Sequence, residues 1–226
     1  TLTARGASSE AAVKDVAVGE VWVCSGQSNM CTDVGFAPCT KDQIPEANYP
    51  DIRFVDHRPW QVCSPETIGS CSAVAYFFAR EIHRELKTPV GLIVRAQSMS
   101  SIQVWTPREA YVLYPELMAD YRGQVRQYLA DLRKWTDRQE KLLDSNLPVE
   151  LGANDAPHSQ TAEWYEGQIR PHANFAIRGF LWYQGETNVA DGMFYVTRQK
   201  AMVECWRKAF GDMDLPFYFV QIAPTG

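Results

Sequence analysis

Residues 20–30 read EVWVCSGQSNM, and this stretch decides how the rest of the sequence is interpreted. Its first five residues form a short, mainly apolar run of the kind that becomes a buried strand. Gly26 then opens a polar turn that contains Ser28 and Asn29. In an open parallel sheet, ligands bind beyond the carboxyl ends of the strands. The stretch therefore predicts that the Ser28 hydroxyl faces a cleft, although an ordinary turn after a strand explains the same pattern.

Further apolar runs and amphipathic segments indicate the fold class. Strands are predicted at residues 51–55, 90–94, 178–183 and 216–222. Apolar residues at helical spacing predict helices at residues 70–87 and 191–210. Strands that alternate with helices predict an α/β domain with a central parallel sheet and helices on both faces. The mixed charges of residues 115–147 predict one or two solvated surface helices inserted into this topology.

The composition narrows the classes of function. A chain of 226 residues, 46% of them hydrophobic, is long enough for one domain with a substantial core. The net charge is −5 and there is no basic run, which argues against a nucleic-acid partner. No apolar stretch is long enough to span a membrane. The cysteine spacing is not that of a zinc site, so we expect no metal.

The six cysteines leave two interpretations open. Cys31 and Cys39 have the same spacing as Cys63 and Cys71, and each pair brackets a short loop. Disulfides that close such loops suit an oxidising compartment, so the pattern predicts a secreted, lysosomal or similarly oxidising location. Buried thiols are the alternative, because sequence alone does not determine the pairing.

A second polar cluster follows the predicted strand at residues 178–183. Its sequence is Gln184-Gly185-Glu186-Thr187-Asn188. Gln184 and Asn188 are neutral amide donors of the kind that stabilises a developing oxyanion, and Glu186 is placed to order them. A glycine turn with capping polar residues at the start of the next helix is the alternative.

Together the two clusters resemble a known family. The segments GEVWVCSGQSNM (19–30) and FLWYQGETN (180–188) are similar to those of the sialate O-acetylesterases, a branch of the SGNH hydrolases. The resemblance covers nearly the whole chain, through segments 90–107, 165–179, 205–207 and 217–224, and is weaker over 115–160. It implies a flavodoxin-like three-layer fold and a carbohydrate O-acetylesterase that needs no cofactor.

The resemblance also implies roles for individual residues. Ser28 would be the nucleophile that forms an acetyl-enzyme. The oxyanion would bind the Ser28 N–H, a backbone N–H of Ser98 or Met99, and the side-chain amide of Gln184 or Asn188. Residues that support the site are expected at Gln27, Asn29 and Glu186. Substrate-binding residues are expected at Arg95 and Trp105. Arg95 lies near the second block, where an arginine could attract an anionic sugar; a surface salt bridge is the alternative.

Two departures from the family pattern bear on activity. Ser98 and Met99 occupy the positions where the family has a glycine pair. We therefore expect the positive φ that glycine permits to be lost, and we expect the new side chains to crowd the site of the ester. The family's base comes from an Asp-x-x-His segment after the last strand, and the sequence stops at Gly226 before one. Asp155 and His158 have that spacing but precede the third block.

These observations give a domain plan and two functional hypotheses. Residues 1–18 are expected to be the tail of a preceding β-rich domain or an extension. Residues 19–226 are expected to form the esterase domain, with a helical insertion at about 108–160. The main hypothesis is an O-acetylesterase acting on an O-acetylated sugar. The alternative is an inactive relative that binds sugar or serves as a structural subunit, associated with other parts of the polypeptide or a larger assembly.

Overall fold

The computed structural model describes residues 1–145, 147–148, 157 and 161–224. The chain divides into two compact units. The sheet unit comprises Thr1–Met99, Ala176–Gln184 and Leu215–Gly226. The helical unit comprises Ser100–Phe175 and Gly185–Asp214.

The sheet unit contains a hairpin and a six-stranded sheet. Strands β1 (Leu2–Arg5) and β2 (Glu10–Val13) form the exposed antiparallel hairpin. The sheet consists of β3 (Glu20–Gly26), β4 (Tyr49–Val55), β5 (Gln61–Cys63), β6 (Val90–Ala96), β7 (Gly179–Tyr183) and β8 (Phe217–Phe219). Their order is β5-β4-β6-β3-β7-β8, and only the β4–β5 pair is antiparallel. All five predicted strands are present, so the α/β class with a mainly parallel sheet is confirmed.

The helices also follow the predicted pattern. In the sheet unit they are α1 (Ser28–Cys31) and α2 (Ala73–Leu86). In the helical unit they are α3 (Ile102–Trp105), α4 (Arg108–Leu113), α5 (Pro115–Asp144) and α6 (Phe194–Ala209). Short 3-10 turns occur at Lys41–Gln43, Ile68–Ser70, Arg170–His172 and Glu186–Asp191, and a π-helical turn at Tyr165–Ile169. The charged segment is one helix of 30 residues, α5, which fits its mixed charge. None of the helices described is both long and apolar enough to cross a membrane.

Strand β3 lies at the centre of the sheet, between β6 and β7, and it carries much of the core. Trp22 packs edge-on against Phe78 of α2, with ring centroids 4.9 Å apart, and stacks on Tyr218 at 5.7 Å. Ser72 caps α2 by accepting a hydrogen bond from the Ala75 N–H. Burial of this aromatic cluster holds the central strand in place.

Gly26 ends β3 at a position that has no room for a side chain. Its φ is +147°, and a Cβ there would lie 2.1 Å from the Tyr183 carbonyl oxygen. The Gln27 N–H donates to that same oxygen at 2.9 Å, and the Gln97 N–H donates to the Gly26 oxygen at 3.1 Å. Glycine is therefore required where β3, β6 and β7 end side by side.

The predicted disulfides are not found. All six cysteines lie in the described part of the chain, and each thiol there is free. Cys24, Cys63, Cys71 and Cys205 are buried, Cys31 is half-buried and Cys39 is exposed. Burial raises the pKa of Cys63 and of Cys205 to about 11. The buried-thiol interpretation fits these positions, because desolvation disfavours the thiolate.

Gly26→Ala should destabilise the protein by about 3 kcal/mol, the sum of overpacking and a strained φ. Gly123→Ala is the matched control, because a Cβ at this exposed α5 position meets nothing within 4 Å. The control should stabilise by roughly 0.5–1 kcal/mol. Denaturant unfolding of both variants checks this. Equal, small effects would show that β3 and β7 do not approach as closely as described.

A thiol-reactive chromophore should label Cys39 quickly in the native protein and Cys31 more slowly. The buried thiols should react only after unfolding, because they are inaccessible and their raised pKa values keep them protonated. Peptide mapping of the labelled, non-reduced protein identifies each site. Recovery of Cys31–Cys39 or Cys63–Cys71 peptides linked by a disulfide would contradict the free-thiol structure.

Candidate active site

The polar residues predicted at three strand ends share one edge of the sheet. In the parallel register Gly26 is opposite both Ala96 of β6 and Tyr183 of β7. Ser28, Ser98 and Gln184 each follow these aligned positions by one or two residues. The carboxyl ends of neighbouring parallel strands form the ligand-binding edge of an open α/β sheet. The sheet thus brings these three predicted residues to the same edge.

Ser28 is exposed and is the first residue of α1. The buried Gln27 precedes it, and the Gln27 carbonyl accepts the N–H groups of Met30 and Cys31 at 2.9 and 3.0 Å. Within the described residues, neither the hydroxyl nor the backbone N–H of Ser28 has a hydrogen-bond partner. A hydroxyl and an N–H left open on the same residue can serve a nucleophile and an oxyanion donor together. Asn29, the other predicted supporting residue, is half-buried on α1.

The Ser98–Met99 turn keeps the backbone conformation that the substitution of glycine was expected to abolish. Met99 has φ = +60° and is 85% exposed. The prediction that a non-glycine residue would lose the positive φ is therefore wrong. A left-handed conformation costs an L-residue roughly 1–2 kcal/mol, which the surrounding fold must offset.

Cys31 joins this turn to α1. Burial raises the pKa of the Cys31 thiol, while hydrogen bonds with the side chain and backbone of Ser98 oppose the rise. Ser98 therefore contacts the helix that begins with Ser28. Cys31 was not among the predicted site residues, although its spacing of three residues places it on the same face of α1 as Ser28.

Gln184 and Asn188 differ in their surroundings. Gln184 is 3% exposed and directly follows β7 in the sheet unit. Asn188 belongs to the helical unit, where its amide nitrogen donates to Gln103 and Asp191 at 2.9 and 2.8 Å. Its side-chain oxygen accepts the Ile102 N–H at 2.9 Å. Both amide hydrogens of Asn188 are thus engaged, and the residue ties the start of α3 to the 3-10 turn that begins at the half-buried Glu186.

Arg198 supports this arrangement inside the helical unit. Its side chain is 5% exposed and forms ion pairs of 2.8 Å with both Asp120 and Asp191. Burial alone would lower the pKa of Arg198, but the two carboxylates raise it. The guanidinium also lies over the Phe194 ring, 4.7 Å from the centroid. Because Asp191 binds both Arg198 and Asn188, this buried charge network orients the Asn188 amide.

The two residues predicted to bind substrate have structural contacts instead. One Arg95 nitrogen donates to the carbonyls of Val55 at 3.3 Å, Val94 at 2.8 Å and Asp56. Arg95 therefore ties the end of β6 to the end of β4. Trp105 is fully buried, donates to the Ser100 hydroxyl at 2.8 Å and stacks on Trp164. Trp105 is a core residue of the helical unit, with no exposed face for a sugar.

A charged cluster at the end of β4 was not predicted as part of the site. The Arg58 backbone N–H and Nε donate to Asp56 Oδ1 at 2.8 and 3.1 Å, and its Nη2 binds Asp56 Oδ2. Burial would raise the pKa of Asp56, but these bonds hold it below the ordinary value. Burial raises the pKa of Asp33, although Arg58 opposes the rise. The same strand-end rule that identified Ser28 would have identified Asp56 and Arg58 after residues 51–55.

No histidine in the described structure is hydrogen-bonded to Ser28. His57 is exposed, His83 Nδ1 lies 2.8 Å from the Thr88 oxygen, and His172 packs against Phe175. The Asp155–His158 pair lies outside the described residues. Among those that are described, no cluster of three potential ligands could hold a metal ion.

Comparisons with known proteins identify related sequences. A family described as carbohydrate esterases, sialic acid-specific acetylesterases, matches residues 18–134 and 152–226. Sialate O-acetylesterase of Rattus norvegicus is 27% identical over 93% of this chain and 44% of its own length. The Homo sapiens protein of the same name is 25% identical over 93% of this chain and 41% of its own length. The chain thus spans less than half the length of these relatives.

Two solved structures are similar. A carbohydrate acetylesterase from Xanthomonas citri has 26% identity and a TM-score of 0.69, over 97% of this chain and 45% of that one. A protein from Arabidopsis thaliana has 16% identity and a TM-score of 0.56, over 91% and 74% of the two chains. The second likeness concerns the fold alone. The similarities agree with the predicted SGNH-like α/β fold.

Met99→Gly should raise the free energy of unfolding by about 0.5–1 kcal/mol. Relief of the left-handed strain, roughly 1–2 kcal/mol, exceeds the entropy cost of glycine, roughly 0.5–1 kcal/mol. Ser98→Gly is the control, because Ser98 has an ordinary negative φ and its replacement should destabilise. Denaturant unfolding measures both. A loss of stability in Met99→Gly would show that residue 99 is not left-handed.

Proposed function

The chain belongs to the family of carbohydrate esterases called sialic acid-specific acetylesterases, and from this premise we propose that it is a serine O-acetylesterase. The single observation that carries the proposal is the placement of Ser28. Its hydroxyl is exposed at the carboxyl end of the central strand, and its own N–H is open. Sialate is the substrate in the names of the rat and human relatives, so an O-acetylated sialic acid is the first substrate to test.

The reaction follows from this geometry. Ser28 Oγ attacks the acetyl carbonyl carbon, and the carbonyl oxygen takes up the negative charge. Collapse of the tetrahedral intermediate breaks the ester bond, passes the proton that was removed from Ser28 to the sugar oxygen, releases the sugar as an alcohol and leaves an acetyl group on Ser28. Water then attacks the acetyl-enzyme and releases acetate, which regenerates the serine.

Three donors are assigned to the oxyanion. They are the Ser28 N–H, a backbone N–H of the Ser98–Met99 turn, and the Gln184 amide. The positive φ of Met99 supports the second, because it keeps the turn that a glycine pair would form. We assign the side-chain amide to Gln184 because Gln103 and Asp191 already occupy both amide hydrogens of Asn188.

Turnover also requires a general base for the Ser28 proton. His57, His83 and His172 contact other groups or solvent in the described structure, so none of them is assigned this role. We expect the base in the Asp-x-x-His element that the family resemblance implies. The secreted or lysosomal location was predicted from the cysteine pattern and stays a prediction, since the thiols in the described structure are free.

Ser28→Ala should abolish acetate release from O-acetylated sialic acid, with a loss of at least about a thousandfold. Ser25→Ala is the matched control three residues earlier. The Ser25 hydroxyl is fully buried and has no partner among the described residues, so its loss should leave the rate unchanged. An enzymatic acetate assay gives both rates. Sugar binding without any acetate release by the parent protein would favour the inactive sugar-binding alternative.

A further inference from the structure

We propose that Arg58 binds the carboxylate of an anionic O-acetylated sugar whose ester lies at Ser28. The inference rests on the proposed function and deepens it, because it selects acidic over neutral sugars. It replaces Arg95, whose guanidinium is engaged by backbone carbonyls. Arg58 would then be a residue that determines specificity without touching the reacting atoms.

The sheet places Arg58 on the same edge as Ser28. In the register of the sheet, Val55 of β4 is level with Ile93 of β6, which is level with Val23 of β3. Arg58 lies three residues beyond Val55, and Ser28 lies five residues beyond Val23. Neighbouring strands are about 4.8 Å apart, so β4 and β3, which have β6 between them, run about 10 Å apart. A sugar acid that carries its ester several carbons from its carboxylate spans a gap of this order.

A continuous set of interactions joins the two positions within the sheet unit. Burial raises the pKa of Asp33, and Arg58 opposes that rise. Asp33 pairs with Ser72 in a β-bridge just after α1, and the Ala73 N–H donates to the Thr32 carbonyl at 2.8 Å. Cys31 is hydrogen-bonded to Ser98, next to the proposed oxyanion turn. The Arg58 Nη2 also donates to the Ser70 carbonyl at 3.4 Å. Arg58 is therefore held close to the helix that carries Ser28.

The Arg58 guanidinium has N–H groups that are available to a ligand. Its backbone N–H, Nε and Nη2 bind Asp56, whereas Nη1 has no hydrogen-bond partner among the described residues. The side chain is 48% exposed, so its outer edge is open to solvent. A guanidinium presents five N–H groups in a planar fork, and one edge can bind a second carboxylate while the other keeps the first.

The charge around Arg58 is close to balanced, although the chain carries a net charge of −5. Asp56 faces three basic groups, Arg58, Arg95 and His57. Asp33 is the opposing carboxylate, and burial raises its pKa. The charges of the two arginines and the two carboxylates cancel, in contrast to the net charge of the whole chain, so an incoming carboxylate meets less repulsion here.

A measurement of ligand binding tests this inference independently of catalytic turnover. In a Ser28→Ala background, N-acetylneuraminic acid and its neutral methyl ester are titrated by ligand-observed NMR. Arg58→Gln should weaken binding of the acid about tenfold or more and leave the ester unchanged, because only the acid offers a carboxylate. Arg58→Lys should recover part of the affinity, since it keeps the charge and loses the fork. Arg84→Gln, an exposed ion-paired arginine on α2, is the control.

Three outcomes would overturn the proposal. The first is unchanged binding of the acid in Arg58→Gln, which would leave Arg58 as an ion-pair partner of Asp56 only. The second is equal weakening of acid and ester binding in that variant. The third is no binding of the acid by the Ser28→Ala protein that retains Arg58. If Arg58→Gln loses only the acid and the native protein releases no acetate, anion recognition stands and the esterase proposal fails. If acetate release from the acid keeps the same KM in Arg58→Gln, the esterase proposal stands and this inference fails.

Discussion

The candidate active site depends on the backbone contact between Gly26 and Tyr183. Because a Cβ at position 26 would lie 2.1 Å from the Tyr183 oxygen, β3 and β7 can end together only with glycine there. The following N–H, that of Gln27, binds the same oxygen, and Gln97 binds the Gly26 carbonyl. These contacts align the three strand ends, and each polar block of the sequence then begins at the same edge. Ser28 owes its exposed position to this alignment.

The fold was predictable because the buried strands are continuous apolar runs and the helices have a clear period. Strand β5 was not, since three residues, Gln-Val-Cys, are too few to give a pattern. The site was predictable only in part. The strand-end rule placed Ser28 and Gln184 at the edge where the structure has them, and the family resemblance added Ser98. Trp105 and Arg95, in contrast, share local sequence features with ligand-binding residues. Their burial and carbonyl contacts come from residues distant in sequence, which no local pattern reports.

Side-chain contacts divide the polar residues into two groups. In the first group, the side-chain donors bind acceptors of the protein itself, which gives these residues structural roles. The group consists of Asn188, Arg198, Arg95 and Trp105. The hydroxyl and backbone N–H of Ser28 and the Nη1 group of Arg58 have no hydrogen-bond partner in the described structure. A folded protein satisfies most buried polar groups internally, so open groups at an exposed sheet edge are those available to a ligand. The strained Met99 belongs to the same edge, where strain is commonly retained for function.

The most direct test of the central claim is to trap the acetyl-enzyme. The protein is mixed with an O-acetylated sialic acid, quenched in acid within milliseconds, digested and examined by mass spectrometry. We expect a single acetyl group on the peptide that contains Ser28, formed before free acetate accumulates. Acetylation at another residue, or acetate release with an unmodified Ser28 peptide at every time point, would contradict it.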